Sequence, residues 1–239
     1  MGSDITTGWY DAGTVFSSPA RFTTTQWLAT GGVVAGTAIL FTADQSIRNL
    51  AQRNQSSVGS SFANIGTDYG NTVTGGVIGA AIYLGGLAAN SESVRVTGRM
   101  TLESLIFAGG ITLVLKSIIG RSRPYTGEGP DKVNGFQFNT DNTSLPSGHT
   151  TVAFAVSSAL AARIQNTYAT IGLYGLATLT MGARVYQDQH WFSDTFLGAA
   201  IGTAIGNAVA GLHGGGDANT SQSFRITPSL NGLGFAYNF

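Results

Sequence analysis

This chain predicts an all-α compact bundle of about six core helices, on three observations. Apolar runs recur without the period-two alternation of strands, glycines repeat every four residues inside several runs, and Gly, Pro, Asn and Asp cluster in the segment between residues 123 and 147. The runs cover residues 27–43, 73–89, 104–119, 151–162, 168–183 and 195–212. Gly32 with Gly36, Gly75 with Gly79, and the series Gly198, Gly202 and Gly206 place small residues along one helix face, which lets neighbouring helices approach closely. After Gly214-Gly215-Gly216, alternation at 224–227 and 234–239 predicts a small C-terminal β-hairpin in the tail 214–239. Nothing in the middle of the 239 residues reads as a long linker, so a single domain over 1–239 is expected.

The first two runs lie in uncharged stretches, 22–43 and 69–91, that approach the roughly 20 residues a bilayer requires. The third is bracketed by Glu103 and Lys116, with Arg95 and Arg99 upstream, and the fourth ends at Arg163. Those brackets shorten the uncharged spans, and mean hydropathy is modest. The expectation is therefore a soluble or peripheral bundle, with an integral membrane protein as the alternative. Met1-Gly2-Ser3-Asp4 lacks the basic start and apolar core of a signal peptide, which reads as a start left after removal of a leader.

Composition excludes some chemistries. The 12 basic and 12 acidic side chains cancel and only 10% of residues are charged, which argues against a nucleic-acid partner and suits lipid-like surroundings. Cysteine is absent, so no disulfide framework, thiolate nucleophile or cysteine metal site exists.

Three short motifs carry the chemistry. Lys116 and, across six intervening residues, Arg123-Pro124 follow the third run, with Arg121 and Arg123 in the turn beyond the helix and Pro124 stopping it. Arg offers a planar fork to two phosphate oxygens and Lys a compact charge, so together they could hold an oxyanion. Next comes Pro146-Ser147-Gly148-His149, where Ser147 is a candidate N-cap, Gly148 permits close approach of the backbone, and the free amides of a helix start favour an anion. His149 would stand at the helix mouth. Last, Arg184 precedes His190 by six residues and Asp194 follows it by four, so that a carboxylate could fix one ring nitrogen and leave the other for attack. Singly, these motifs have plainer readings as a basic helix end, a surface imidazole near a cap and a core hydrogen bond. In combination and in this order they describe a phosphate pocket with a nucleophile, two histidines dividing the proton work, and no required metal.

The three motifs together resemble the signature of the type 2 phosphatidic acid phosphatase (PAP2) superfamily, which shares its fold with vanadium haloperoxidases and bacterial acid phosphatases. The resemblance covers residues 116–194. It implies that Lys116, Arg123 and Arg184 hold the phosphate with help from Ser147 and Gly148, that His190 attacks, that His149 donates the proton, and that Asp194 orients His190. Ala183 stands where the family usually has Ser, which removes one possible hydroxyl contact. The implied enzyme is a metal-independent phosphoric ester hydrolase acting through a phosphohistidine. Its substrate would be a phosphorylated lipid or a small phosphoester at a membrane surface, and it would work on the periplasmic side of a bacterial envelope. No cofactor is expected; vanadate would enter only as an inhibitor, or as the cofactor if the chain were a haloperoxidase. A non-catalytic phosphate or lipid binder is the third reading.

The segment 125–145 reads as a loop over the pocket, a lid or substrate rim, in which Tyr125, Phe136 and Phe138 could meet an acyl or prenyl chain or anchor the loop to the core. Glu128, Asp131 and Asp141 read as solvated charges, and His213 as incidental.

Overall fold

The computed structural model describes residues 2–214, with side chains from Asp4 onward, and beyond them two backbone segments, Phe224–Ser229 and Gly232–Tyr237, in antiparallel register. How the expected terminal hairpin packs on the bundle lies outside the described residues.

Nine α-helices are present among the described residues: α1 Gly2–Ser17, α2 Thr24–Phe41, α3 Asp44–Arg53, α4 Ser57–Tyr69, α5 Thr72–Ala88, α6 Glu92–Ile119, α7 Gly148–Ile164, α8 Thr167–Tyr186 and α9 Phe192–Leu212. Six of these match the apolar runs. The other three, α1, α3 and α4, are polar or rich in Ser, Gly and Thr, so hydrophobic content did not reveal them. Caps mark most starts: the side chains of Thr23, Ser56, Asn71, Ser91 and Asn166 each accept a main-chain N–H from the first turn of the helix that follows. The stop of α6 is Gly120 at φ 66°, not Pro124, which instead opens a short 3₁₀ turn at Pro124–Thr126.

Helix α7 is the axis of the bundle, packed by α9, α8 and α6. Its buried face is small and hydroxylated, with Thr150, Thr151, Ala155, Ser157, Ser158 and Ala159 all shielded. The hydroxyls are satisfied internally: Ser157 Oγ donates to the Leu173 carbonyl and also meets Tyr69 Oη at 2.7 Å, while Ser158 Oγ pairs with Tyr174 Oη. Against this face lies the glycine series of α9. A Cβ at Gly198 would sit 2.7 Å from the Ser147 carbonyl oxygen and one at Gly206 2.6 Å from that of Ala155, so the four-residue repeat is a backbone-to-backbone seam.

Among the described residues two helices, Glu92–Ile119 and Phe192–Leu212, are long and apolar enough to cross a membrane, and the bent pairs Thr24–Phe41 with Asp44–Arg53 and Ser57–Tyr69 with Thr72–Ala88 pass the same test when taken together. This favours the integral-membrane alternative over the soluble or peripheral bundle. The charges that bracketed the third run do not shorten it as a span, because Glu103 and Lys116 are only 7% and 9% exposed and point into protein. The side of α6 that faces out carries Ile106, Leu113, Val114 and Ile118. At 1.5 Å per residue its 28 residues measure about 42 Å, ample for a bilayer. Arg163 closes a helix enclosed by its neighbours, to which a lipid-span rule does not apply.

The segment between α6 and α7 folds back over the end of α6. The main-chain N–H groups of Asn134, Gly135, Phe136 and Gln137 donate to the carbonyls of Gly120, Ile119, Ile118 and Ser117, satisfying groups that a helix end leaves open. Phe136 and Phe138 are 76% and 85% exposed, so they do not anchor this loop to the core. Glu128 and Asp141 are not merely solvated: they accept from the Ser122 hydroxyl and the Tyr125 hydroxyl.

Candidate active site

Four helix ends meet at one side of the bundle: the last turns of α6 and α8 and the first turns of α7 and α9. They bring Lys116, Arg184, Gly148 with His149, and Asp194, while the 120–147 loop brings Arg123 and Ser147 and the turn before α9 brings His190. Lys116, in the last turn of α6, is buried and donates to the carbonyls of Thr143 at 2.5 Å and Ser144 at 3.2 Å. Two carbonyls leave its third N–H for the pocket. Gly148, at the start of α7, passes close by, since a Cβ there would touch Lys116 Cε at 3.7 Å.

Arg123 is fastened by the loop, with Nε donating to the Thr140 carbonyl at 2.9 Å and Nη1 to Gln189 Oε1 at 3.2 Å. Burial draws its guanidinium below its usual value, partly offset by Tyr125, Asp194 and Asp141, and it remains charged at neutral pH. Arg184, from the last turn of α8, gives Nη1 to Gln187 Oε1 at 2.9 Å and to Thr67 Oγ1 at 3.3 Å. Its buried Nε finds no hydrogen-bond partner among the described residues. A buried guanidinium donor left unmet is costly unless something anionic takes it.

The chain then loops back on itself: the N–H groups of Gln189 and His190 donate to the Arg184 carbonyl, at 3.0 and 3.2 Å. Asp188, at φ 59°, makes a two-pronged bond with Arg48 of α3, 2.6 and 2.7 Å long, which locks this turn. His190 therefore sits just outside α9, not on its face, with Trp191 as the N-cap residue. Asp194 Oδ2 accepts the main-chain N–H of Trp191 at 2.9 Å and the hydroxyl of Ser144 at 2.5 Å, and lies 3.5 Å from His190 Nδ1. Its other oxygen accepts from Arg121 Nη1 at 2.6 Å.

His190 is 2% exposed. Burial first, then Lys116 and Arg123, hold its ring well below the ordinary imidazole value, with Asp194 opposing them. The ring is therefore neutral across the physiological range, with the carboxylate on the Nδ1 side and Nε2 as the available lone pair. His149, in the first turn of α7, is pushed down to about 4 by burial, then by Arg184, Arg123 and Lys116. That three cations act on one imidazole is itself a measure of how tightly the motifs converge. Ser147 is the N-cap residue, but its hydroxyl caps nothing and instead accepts from Thr150 Oγ1 at 3.0 Å.

All eight motif residues, Lys116, Arg123, Ser147, Gly148, His149, Arg184, His190 and Asp194, thus line one region. Sequence reasoning missed the support behind it. Arg121, Asp44 and Ser144 are fully buried around Asp194. The signal available was a second arginine two residues before Arg123; nothing in the sequence tied Asp44 to it.

Among the described residues the donors of Asp11, Glu103 and His213 lie within 4.8 Å of one another. His213 Nε2 is 2.8 Å from Asp11 Oδ2 and 3.3 Å from Glu103 Oε2, so this histidine is not incidental. Arg99 Nη2 meets Nδ1 at 3.0 Å, and since arginine only donates, the neutral ring keeps its proton on Nε2, between the two carboxylates. The group ties α1, α6 and α9 together about 20 Å along α6 from Lys116. A recess of about 220 Å³ beside Gly86, Asn90 and Arg95 is farther still and takes no part in the site.

Residues 99–215 match the PAP2 superfamily, a stretch that contains all eight motif residues. The chain is 26% identical over 179 residues to the lipid A 1-phosphatase of Porphyromonas gingivalis; the match takes in 73% of this chain and 36% of that protein, so the chain spans about a third of the relative's length. Among solved structures it is similar to LpxE of Aquifex aeolicus, with a TM-score of 0.56 and 20% identity over 70% of this chain and 94% of the other. It is similar as well to a transmembrane PAP2-type phosphatidylglycerolphosphate phosphatase of Bacillus subtilis, with a TM-score of 0.57 and 19% identity over 76% and 94%. At these identities the likeness to the two structures is one of fold.

Proposed function

We propose that this chain, which belongs to the PAP2 superfamily, is an integral membrane phosphatase that removes phosphate from a phosphorylated lipid through a phosphohistidine on His190. The observation that carries the reading is the unmet Nε of Arg184 in a pocket shared with Lys116, Arg123 and two neutral imidazoles. The curated relative acts on lipid A, which agrees with a lipid substrate.

In the first step Nε2 of His190 attacks phosphorus as the bond to the leaving oxygen breaks, and His149, protonated in the substrate complex, passes its proton to that oxygen. Asp194 faces the Nδ1–H and balances the charge that the ring gains. Lys116, Arg123 and Arg184 neutralise the equatorial phosphoryl oxygens, where charge collects. In the second step His149 takes a proton from water, which attacks phosphorus; the N–P bond breaks and phosphate leaves. Positioning and charge do most of this work, so no step requires a metal.

The exposed apolar sides of α2, α5 and α6 would lie in lipid, and the exposed rings of Phe136 and Phe138 on the loop beside the pocket would meet the acyl region of a substrate presented from the bilayer. The test is phosphate release by detergent-solubilised protein from lipid phosphomonoesters, lipid diphosphates and short water-soluble esters, each with vanadate and with chelator. Release from lipid esters that vanadate blocks and chelator leaves intact supports the reading. Loss of turnover on chelation would overturn the metal-free mechanism, and bromide oxidation with vanadate in place of phosphate release would overturn the phosphatase.

A further inference from the structure

Arg121 has no exposed surface, yet it carries a full charge and spends its donors on four groups. Nε donates to the Pro130 carbonyl, Nη1 to Ser193 Oγ and Asp194 Oδ1, and Nη2 to Asp44 Oδ2 at 2.7 Å. Its Cζ lies 3.8 Å from the centre of the Phe41 ring. Asp44 is as deeply buried and accepts besides from the Ser193 N–H at 2.9 Å and the Ser193 hydroxyl at 2.5 Å. Phe41 ends α2 and Asp44 begins α3, at the elbow where these helices bend by 59°.

We infer that Arg121 and Asp44 are positioning residues for the His190–Asp194 pair. The inference rests on the phosphohistidine reading above and adds a charge chain behind it: carboxylate of Asp44, guanidinium of Arg121, carboxylate of Asp194, imidazole of His190.

Stability alone gives little reason for such a chain, because buried ion pairs are commonly no better than apolar side chains of the same size. The chain has a clear electrostatic consequence. Arg121 paired with Asp194 alone would cancel the negative charge that His190 needs behind its Nδ1–H. Asp44 shares the guanidinium, so the three charges sum to one negative, which stays directed at His190. Orientation follows too: with Arg121 on Oδ1, and Ser144 and Trp191 on Oδ2, the Asp194 carboxylate cannot rotate away from the ring.

The groups that bear on His190 are Asp194 from α9, Lys116 from α6, Arg123 from the loop after it and the Ser144 hydroxyl, with Arg184 of α8 and His149 of α7 bordering the same pocket. Arg121 and Asp44 add to these from behind Asp194. Removing the charge of Asp44 alone makes the surroundings of His190 more positive, so its ring holds a proton less readily. Removing both charges strips Asp194 of its guanidinium and leaves it more basic, so the ring holds a proton more readily.

The experiment compares the full chain with Asp44→Asn and with the double variant Asp44→Asn/Arg121→Gln, measuring kcat, KM and the acid limb of kcat/KM on whichever phosphoester the wild type turns over. The expected result is a fall in kcat of about tenfold or more, the equivalent of one pK unit of coupling, with KM held. The acid limb moves to lower pH in the single variant and to higher pH in the double one, opposed displacements that simple loosening of the fold would not produce. Wild-type kcat in Asp44→Asn, or both limbs moving the same way, overturns the inference. If Asp44→Asn does not fold, Asp44→Glu keeps the charge but displaces it; reduced kcat with an unmoved limb supports the inference, and wild-type kcat overturns it. Failure of the wild type to release phosphate from any ester defeats the functional reading itself, and is thereby told apart.

Discussion

The main-chain N–H of Ser147 donates to the main-chain carbonyl of Asp194 at 2.9 Å. That bond joins the mouth of α7, which carries His149, to the mouth of α9, which follows His190. Two histidines 41 residues apart in sequence are thereby set on one rim. The seam beneath that bond is only as close as Gly198 permits.

Gly198→Ala should therefore reduce activity more than a methyl group normally would. Its Cβ would meet the Ser147 carbonyl oxygen at 2.7 Å, and a backbone atom in the first turn of a packed helix cannot swing aside as a side chain can. The two helix mouths must part, which loosens His149 relative to His190. We expect lower kcat together with a lower thermal midpoint, whereas Gly182→Ala, where a Cβ would meet nothing within 4 Å, should leave both as in the wild type. Equal behaviour of the two variants would show that the seam does not hold the site.

Replacing the two histidines should separate their roles. His190→Ala removes the attacking nitrogen and should abolish turnover, while His149→Ala should cost about 10²-fold or more, the usual range for a general acid and base. The loss at His149 should shrink for substrates with good leaving groups, such as an aryl phosphate, because those need less help from a proton. Wild-type turnover by His190→Ala would end the phosphohistidine reading.

Much of the site was legible because its chemistry is local. Lys116 with Arg123, Ser147-Gly148-His149, and Arg184 with His190 and Asp194 are three short strings, and phosphate chemistry needs those residue types however the chain is folded. Burial is not local, and there the sequence misled. Glu103 and Lys116 read as charges cutting a span short, but both turn inward, Lys116 to the Thr143 and Ser144 carbonyls and Glu103 to His213 and Arg99. Asp44 was invisible for the same reason: its partner Arg121 is 77 positions away. Helix α3 escaped notice because it is held by hydrogen bonds, as between Arg48 and Asp188, and α4 because it meets α8 through a small residue, Gly66, where a Cβ would lie 2.7 Å from the Leu179 carbonyl oxygen.

Stability should fall with acidity over a window set by the two pocket histidines. Both rings hold protons less readily in the folded protein than in the unfolded chain, where the usual value is about 6.5. Between that value and the folded ones the unfolded chain binds more protons, so stability rises with pH. Their contribution is complete above about pH 6.5 and is lost as pH falls toward about 4, the folded value of His149. Thermal midpoints measured in detergent from pH 7.5 to 4.5 should decline through this window, and His149→Asn should flatten the decline. An equally steep fall in that variant would assign the acid sensitivity elsewhere.

A general acid that titrates near 4 holds almost no proton at neutral pH, and this apparent obstacle makes a prediction about the bound state. His149 is held down by burial and by Arg184, Arg123 and Lys116, and burial does not ease when a ligand enters. The cations are another matter. A phosphoryl group carries nearly two negative charges into their midst, cancels most of their repulsion of an imidazolium, and adds an acceptor for its N–H. Substrate would thus protonate its own general acid, and the ring would give the proton up only as the leaving oxygen develops charge. Vanadate or inorganic phosphate should therefore bind with uptake of a proton near pH 7, measurable as a dependence of the calorimetric binding enthalpy on the ionisation enthalpy of the buffer. His149→Asn should bind the same anions without that dependence. Binding by the wild type with no proton uptake would mean that the proton comes from the ligand or from solvent, and His149 would then have to be removed from the first step.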